Sequence, residues 1–163
     1  MLIAVVSDTH LPRGSRRIPD ECWQLMAESD LIAHAGDFVT REVLDEISSL
    51  GPRVVAVHGN MDGFDVRQVA PERAEVELDD GLRLGVVHDA GPAHGRLARM
   101  RHAFPDAHAL VFGHSHIPLH EEADGFQIFN PGSPTDRRRQ PRHTMGIGRV
   151  ADGRIRFEHV YLD

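Results

Sequence analysis

Short apolar runs alternate with amphipathic segments in the first part of this chain, and each run stops at a polar or glycine-containing turn. Continuous apolar runs of this length are typical of strands buried on both faces of a parallel sheet. The pattern predicts strands at residues 2–6, 31–35 and 53–58, and helices at 19–28 and 40–50. A β-α-β-α-β order of this kind favours right-handed parallel pairing.

The pattern changes in the second part of the chain. Two alternating segments flank Asp79-Asp80-Gly81, which is a strong hairpin signal. The predicted elements there are the hairpin strands 74–78 and 82–87, a helix near 94–103, and strands at 109–112, 119–123, 126–129, 145–150 and 154–162. We therefore expect an α/β or α+β fold with a parallel first half and a largely antiparallel second half. Two sheets packed face to face, with helices outside, would bury both sets of strands.

Composition is typical of a globular protein. The chain has 163 residues, of which 40% are apolar, and no repeat, linker or low-complexity tract divides it, so we expect residues 1–163 to form a single domain. No apolar stretch approaches the roughly 20 residues that a membrane span needs. The N-terminus lacks a basic leader and runs straight into a polar cluster, which argues against a signal peptide.

Charge and cysteine content narrow the function further. The formal net charge of −7 disfavours nucleic acid as a partner. All 18 basic residues are arginine, and the lack of lysine excludes a Walker phosphate-binding lysine and Schiff-base chemistry. The one cysteine, Cys22, excludes an intramolecular disulfide and a zinc site of several thiolates, and it suits a cytoplasmic protein.

Five polar clusters, each at the end of a predicted strand, carry the candidate chemistry. Ligands gather beyond the carboxyl ends of parallel strands, so we expect these clusters to meet at one edge of the fold. Within two of the clusters the polar residues are two positions apart, which turns both side chains to one side in extended backbone. The clusters supply seven candidate metal ligands: Asp8, His10, Asp37, Asn60, His88, His114 and His116.

These residue types suit a pair of divalent cations. Carboxylates bridge hard cations, imidazoles suit zinc, iron, nickel or manganese, and an amide oxygen adds a neutral ligand. Two such ions about 3.5–4 Å apart can clamp a phosphoryl group and lower the pKa of a bound water. Taken singly, Asp8 or Asn60 is more commonly a turn residue, and His88 is more often a structural histidine. Seven such coincidences together are improbable, so we predict a site for phosphate ester hydrolysis.

The motifs D-x-H, G-D, G-N-[H/C/M]-[D/E], H and G-H-x-H, in this order over residues 8–116, resemble the calcineurin-like metallophosphoesterase superfamily, and the third motif is Gly59-Asn60-Met61-Asp62 here. The Asn130-Pro131-Gly132-Ser133 turn and the antiparallel tail resemble its small bacterial and archaeal phosphodiesterase branch. The resemblance implies a four-layer α/β/β/α sandwich of two mixed sheets flanked by helices.

The same resemblance assigns roles to the ligands. It implies one metal on Asp8, His10 and His116, a second on Asn60, His88 and His114, and Asp37 as the bridge. A hydroxide bridging the metals would attack phosphorus in line and displace an alcohol, so Asp37, Asn60 and His88 would act in catalysis through the bound hydroxide and phosphate. We expect two divalent ions, manganese first, with iron, nickel or zinc as alternatives.

One position departs from the superfamily pattern. Larger phosphatases of the superfamily place a histidine after the motif asparagine, where it can protonate the leaving alkoxide, whereas this chain has Met61. A thioether cannot donate a proton. We therefore expect a diesterase that depends on a good leaving group, or on another donor such as His94. The alternative for Met61 is simple packing against the core.

Residues around the motifs leave further alternatives open. Asp89 would either orient an imidazole or, as we prefer, cap the following helix. Arginines 13, 16, 17, 137, 138, 139 and 142 would hold a substrate anion or, the preferred interpretation, lie on solvated loops. We assign Cys22 and Trp23 to a helix core. His34 and His58 have no role beyond contacts behind the ligands.

The favoured function is a metal-dependent phosphodiesterase acting on a small soluble phosphate ester. A phosphomonoesterase and a nuclease remain alternatives, although the acidic balance disfavours the nuclease. A non-catalytic metal-binding scaffold of the same fold is the third, with a retromer subunit of this superfamily as precedent. Retention of all seven ligands favours the enzyme. A small phosphoester is the expected partner, with no membrane contact, and homo-oligomerisation is left open.

Overall fold

Two five-stranded sheets form the centre of the protein, in the computed structural model that describes residues 1–162. The strands are β1 Leu2–Val6, β2 Leu31–His34, β3 Arg53–Ala56, β4 Arg73–Glu77, β5 Arg83–Val87, β6 Ala109–Val111, β7 Leu119–Ala123, β8 Phe126–Asn130, β9 Thr144–Ala151 and β10 Arg154–Tyr161. The helices are α1 Asp20–Ala27, α2 Arg41–Ser48, α3 Phe64–Arg67 and α4 Arg96–Ala103, with a 3₁₀ turn at Asp79–Gly81.

The first sheet has the strand order β10-β9-β1-β2-β3. Strands β1, β2 and β3 pair in parallel, which confirms the β-α-β-α-β prediction for the first part of the chain. Strand β9 returns from the far end of the sequence to pair antiparallel with β1, and β10 pairs antiparallel with β9. The last two strands therefore extend the first sheet.

The second sheet has the order β4-β5-β6-β8-β7. Strands β4 and β5 form the predicted antiparallel hairpin, and Asp80 in its turn has the left-handed φ of 60° that such turns favour. The largely antiparallel second half is confirmed, since β7 pairs antiparallel with β8, and β9 with β10. Two pairings differ from that pattern, because β5 pairs with β6, and β6 with β8, in parallel. Helix α4 connects β5 to β6, and a strand-helix-strand crossover of this kind gives parallel pairing.

Three apolar clusters separate four layers. One lies between the sheets and includes Val5, Leu84 and Phe129. A second joins the first sheet to α1 and α2, and it contains Cys22, with Trp23 packed against it, as predicted. The third packs α4 on the second sheet. This is the expected α/β/β/α sandwich, and it directs the carboxyl ends of the parallel strands of both sheets to the motif turns.

Helix α3 was absent from the sequence prediction. Four residues make barely one helical turn, so no apolar periodicity marks it. It begins after Gly63 and places Arg67 next to the Asn60 turn. In the described residues, no helix is both long and apolar enough to cross a membrane.

Candidate metal centre

The seven predicted ligands meet at one place, on the turns that follow β1, β2, β3, β5 and β6. Five of the seven adopt left-handed backbone conformations, which non-glycine residues rarely do. The φ angles are 57° for Asp8, 46° for His10, 60° for Asp37, 68° for His114 and 59° for His116. Conformations of this cost persist where the surrounding structure enforces them, and they cluster at functional sites.

A first group of ligand atoms comes from Asp8, His10 and His116, all of them buried. Nε2 of His10 lies 3.2 Å from Nε2 of His116. Oδ1 of Asp8 lies 3.3 Å from the His116 nitrogen and 3.7 Å from the His10 nitrogen. Two donors on one zinc-like ion lie about 2.8–3.6 Å apart when each bond is about 2.0–2.2 Å. The spacing therefore suits a single cation.

A second group comes from Asn60, His88 and His114. Oδ1 of Asn60 lies 3.1 Å from Nε2 of His88 and 3.1 Å from Nδ1 of His114. Asp37 joins the two groups, since its Oδ2 lies 3.4 Å from the His88 nitrogen and 3.6 Å from Nε2 of His10. The carboxylate of Asp37 therefore stands where a bridging ligand would.

The chemistry of these atoms fits a bound cation. Oδ1 of Asp8, an atom of the first group, is buried and has no hydrogen-bond partner in the described chain. Burial alone would raise the pKa of the Asp8 carboxyl, but the neighbouring imidazoles of His10 and His116 hold it well below its usual range. Burial likewise opposes ionisation of Asp37, and His88 outweighs it, so the pKa of Asp37 is lowered. Both residues are therefore anionic ligands at neutral pH.

Backbone carbonyls orient two of the imidazoles. Nδ1 of His88 donates to the carbonyl oxygen of Ala35 over 2.7 Å, and Nδ1 of His116 donates to that of Asp136. A proton fixed on Nδ1 leaves the lone pair of the neutral ring on Nε2, which is the atom that faces the other ligands. This arrangement is usual for metal-bound histidine.

Asp62 is a residue whose role the sequence did not reveal. Its buried carboxylate accepts hydrogen bonds from the backbone N–H groups of Asp37 (2.9 Å), Gly59 (2.7 Å) and Val39 (2.7 Å). It therefore ties the turn after β2 to the turn after β3. The signal that could have found it is its place two residues after Asn60 in the asparagine motif.

The segment 130–136 supports the first ligand group. The Ser133 hydroxyl donates to the carbonyl oxygen of Asp8 over 2.8 Å, and the Thr135 hydroxyl donates to that of Thr9 over 2.6 Å. The guanidinium of Arg16 pairs with the Asp136 carboxylate at 3.0 Å, so Arg16 steadies the residue that holds His116. Among the arginines considered as anion-binding candidates, Arg16 thus helps to position a residue that orients a ligand.

The other arginines agree with the preferred interpretation of solvated loops. Arg137, Arg138 and Arg139 are exposed, and Arg142 stacks over the ring of Tyr161 at 5.1 Å. His34 also behaves as expected, because it contacts the residues behind the ligands. Its Nδ1 accepts from the N–H of Gly36 over 3.1 Å, and burial lowers the pKa of His34 to about 3, so the ring is neutral.

Two expectations near the site need correction, and a third stays a prediction. Met61 is 48% exposed, so its proposed packing in the core was wrong. Asp89 does not cap the following helix, because α4 begins only at Arg96 and the Asp89 carboxylate accepts instead from the N–H of Gly91 over 2.7 Å. His94 lies exposed in the same loop and is not among the residues that line the cavity beside Asn60, so its role as a proton donor stays a prediction.

Comparison with known proteins identifies the family. Residues 1–153 match the calcineurin-like phosphoesterase superfamily domain. The chain belongs to this superfamily. It is 34% identical over 138 residues to a probable metallophosphoesterase of Methanothermobacter thermautotrophicus, covering 83% of this chain and 78% of that protein. It is 28% identical over 148 residues to a phosphodiesterase of Methanocaldococcus jannaschii, covering 81% and 83% respectively.

A solved structure supports the same fold. Vps29 of Entamoeba histolytica, in complex with zinc, superimposes on this calcineurin-like chain with a TM-score of 0.77 at 22% identity, covering 100% of both chains. The resemblance read from the motifs is therefore confirmed at the level of the superfamily and its fold. The assignment of the seven ligands stays a prediction from the sequence. The distances between their donor atoms fit a pair of ions.

Proposed function

We propose that this protein is a metal-dependent phosphodiesterase that hydrolyses a small phosphate ester. The observation that carries the proposal is the position of the Asp37 carboxylate, within 3.6 Å of a ligand nitrogen in each of two groups. A shared carboxylate between two such groups is typical of two-metal phosphoesterases. The similarity to a phosphodiesterase of Methanocaldococcus jannaschii supports the choice of reaction.

In the proposal, Asp8, His10 and His116 hold one divalent ion and Asn60, His88 and His114 hold the other. Two bound ions would polarise the phosphoryl oxygens and lower the pKa of water at the site. The chain's part is to fix the donors beforehand, through the hydrogen bonds from His88 and His116 to backbone carbonyls. Manganese is the first candidate. Iron, nickel and zinc are alternatives, because mixed oxygen and nitrogen sites accept several metals.

The preference for diesters rests on residue 61. Met61 cannot protonate a departing alkoxide. His94, the other candidate donor, is exposed and is not among the residues that line the cavity beside Asn60. General-acid help is worth about 10²–10⁴-fold, and its absence costs most when the leaving group is a poor one. We infer that the substrate is a small diester with a good leaving group. The enzyme would be a single domain that acts in the cytoplasm.

The test is hydrolysis after metal reconstitution. We expect the metal-loaded protein to hydrolyse bis(p-nitrophenyl) phosphate faster than p-nitrophenyl phosphate, with Asp37→Ala and His116→Ala inactive. His102→Ala is the matched control, since His102 is exposed on α4 and outside both ligand groups. Activity that survives the Asp37 and His116 substitutions would overturn the catalytic proposal. Metal binding without hydrolysis of any ester would favour the scaffold alternative.

A further inference from the structure

A cavity of about 280 Å³ opens beside the second ligand group. Three candidate ligands contribute to its lining, together with charged or titratable side chains that the proposed chemistry does not use. The latter are His58, Arg67, Glu72 and Asp89. The volume lies near the lower limit of small-molecule sites, which span about 300–1,000 Å³. A group of the size of glycerol or a single sugar suits it better than a polymer segment.

Arg67 is a fixed cation in this lining. Its Nε donates to the carbonyl oxygen of Asp62 over 2.9 Å, and its Nη2 donates to those of Gly59 and Asn60 over 3.0 and 3.3 Å. These three bonds hold the guanidinium against the Asn60 turn. Nη1 has no hydrogen bond in the described chain, so a donor remains for a ligand.

Glu72 and Asp89 supply acceptors. Glu72 is exposed and has neither a hydrogen bond nor an ion pair among the described residues, although Arg67 lines the same cavity. Asp89 uses Oδ1 for the N–H of Gly91, and its Oδ2 makes no bond in the described chain. The lining thus offers two carboxylates and one guanidinium whose Nε and Nη2 are already hydrogen-bonded.

We propose that this cavity binds the neutral, hydroxylated arm of the phosphodiester, such as a glycerol or sugar group. Hydroxyl groups both donate and accept, so they can serve the carboxylate of Glu72 and the free donor of Arg67 together. A second anionic group would meet two carboxylates and be repelled. The inference rests on the proposed function and deepens it, because a phosphomonoester has no organic group other than its leaving alcohol, whereas a diester keeps a second one that this cavity would hold.

The test compares three diesters with the same leaving group: the p-nitrophenyl phosphodiesters of glycerol, choline and methanol. We expect wild-type, metal-loaded protein to have the highest kcat/KM for the glycerol ester. Glu72→Ala should lower kcat/KM for that ester by about 10-fold or more, mainly through KM, since it removes a hydrogen bond to a charged group. It should leave the methyl ester unchanged, and Glu72→Gln should restore part of the preference.

Glu75→Ala is the matched control, because Glu75 is an exposed glutamate on β4, three residues after Glu72, and lies outside the cavity lining. Equal kcat/KM for the glycerol and methyl esters would overturn the inference. So would a higher value for choline, or a glycerol preference that Glu72→Ala leaves intact. Failure to hydrolyse any of the three diesters would instead contradict the proposed function, and the inference with it.

Discussion

Nε2 of His10 and Nε2 of His116 lie 3.2 Å apart, and both rings are buried. The proton of the His116 ring is held on Nδ1 by the Asp136 carbonyl, so its Nε2 presents a lone pair toward His10. Oδ1 of Asp8 is beside them, buried and without a hydrogen bond. The electron pairs of His116 Nε2 and Asp8 Oδ1 thus converge beside the His10 nitrogen in a dry setting, which is the physical reason for expecting a cation here.

The first prediction concerns the metal content of this group. His116→Ala removes one of three donors, so we expect the purified protein to bind one fewer divalent ion. The loss of metal affinity should exceed the about 10–100-fold that follows when only a hydrogen-bond partner of a ligand is removed. Metal content by mass spectrometry and isothermal titration measures the change. His102→Ala should retain both ions, and equal metal content in the two variants would contradict the prediction.

The second prediction concerns Asp62. Asp62→Ala leaves the N–H groups of Asp37, Gly59 and Val39 without their acceptor, so we expect it to lower the free energy of unfolding by about 2–4 kcal/mol. Urea denaturation of the metal-free protein measures this. Asp65→Ala is the control, since exposed Asp65 accepts one long bond of 3.2 Å. The prediction is wrong if the two variants unfold at the same urea concentration.

The third prediction concerns Arg16, which would affect metal binding without being a metal ligand. Arg16 pairs with Asp136, whose carbonyl oxygen orients His116, so Arg16→Ala should weaken divalent metal binding by about 10-fold or more. Competition with a chelating dye measures affinity without relying on activity. Arg16→Lys should recover part of the affinity, and Arg13→Ala, at an exposed neighbour, should leave it unchanged. Identical metal affinities in the Arg16 and Arg13 variants would refute the proposed effect of Arg16 on His116 through Asp136.

The sequence was a good guide where the signal is local and a poor one where it is not. Each candidate ligand ends a short apolar run, so Asp8, Asp37 and His88 could be placed from their own neighbours. The asparagine motif includes Asp62, but no local pattern shows that its carboxylate accepts from the N–H of Asp37, 25 residues earlier in the chain. In the same way, the apolar run of β9 predicts a strand but not its pairing with β1 at the other end of the chain.

The fourth prediction uses the single cysteine as a probe of the native core. Burial, reinforced by Glu21, raises the pKa of the Cys22 thiol to about 12. The reactive thiolate is then on the order of 10⁻⁴ of the native population at pH 8. We expect iodoacetamide to leave Cys22 unmodified in the folded protein and to label it quickly in guanidinium chloride, as followed by mass spectrometry. Rapid labelling without denaturant would show that α1 is not packed as described.

The last prediction restores a proton donor beside Asn60. Met61 is 48% exposed, so Met61→His requires no repacking of the core and should fold normally. A general acid contributes about 10²–10⁴-fold where the leaving group is poor. We therefore expect Met61→His to accelerate alkyl diesters while leaving p-nitrophenyl diesters nearly unchanged, which flattens the dependence of kcat on leaving-group pKa. Met61→Gln, similar in size but without an acid, should keep the wild-type slope, and an equally flat wild-type slope would mean that another group already donates the proton.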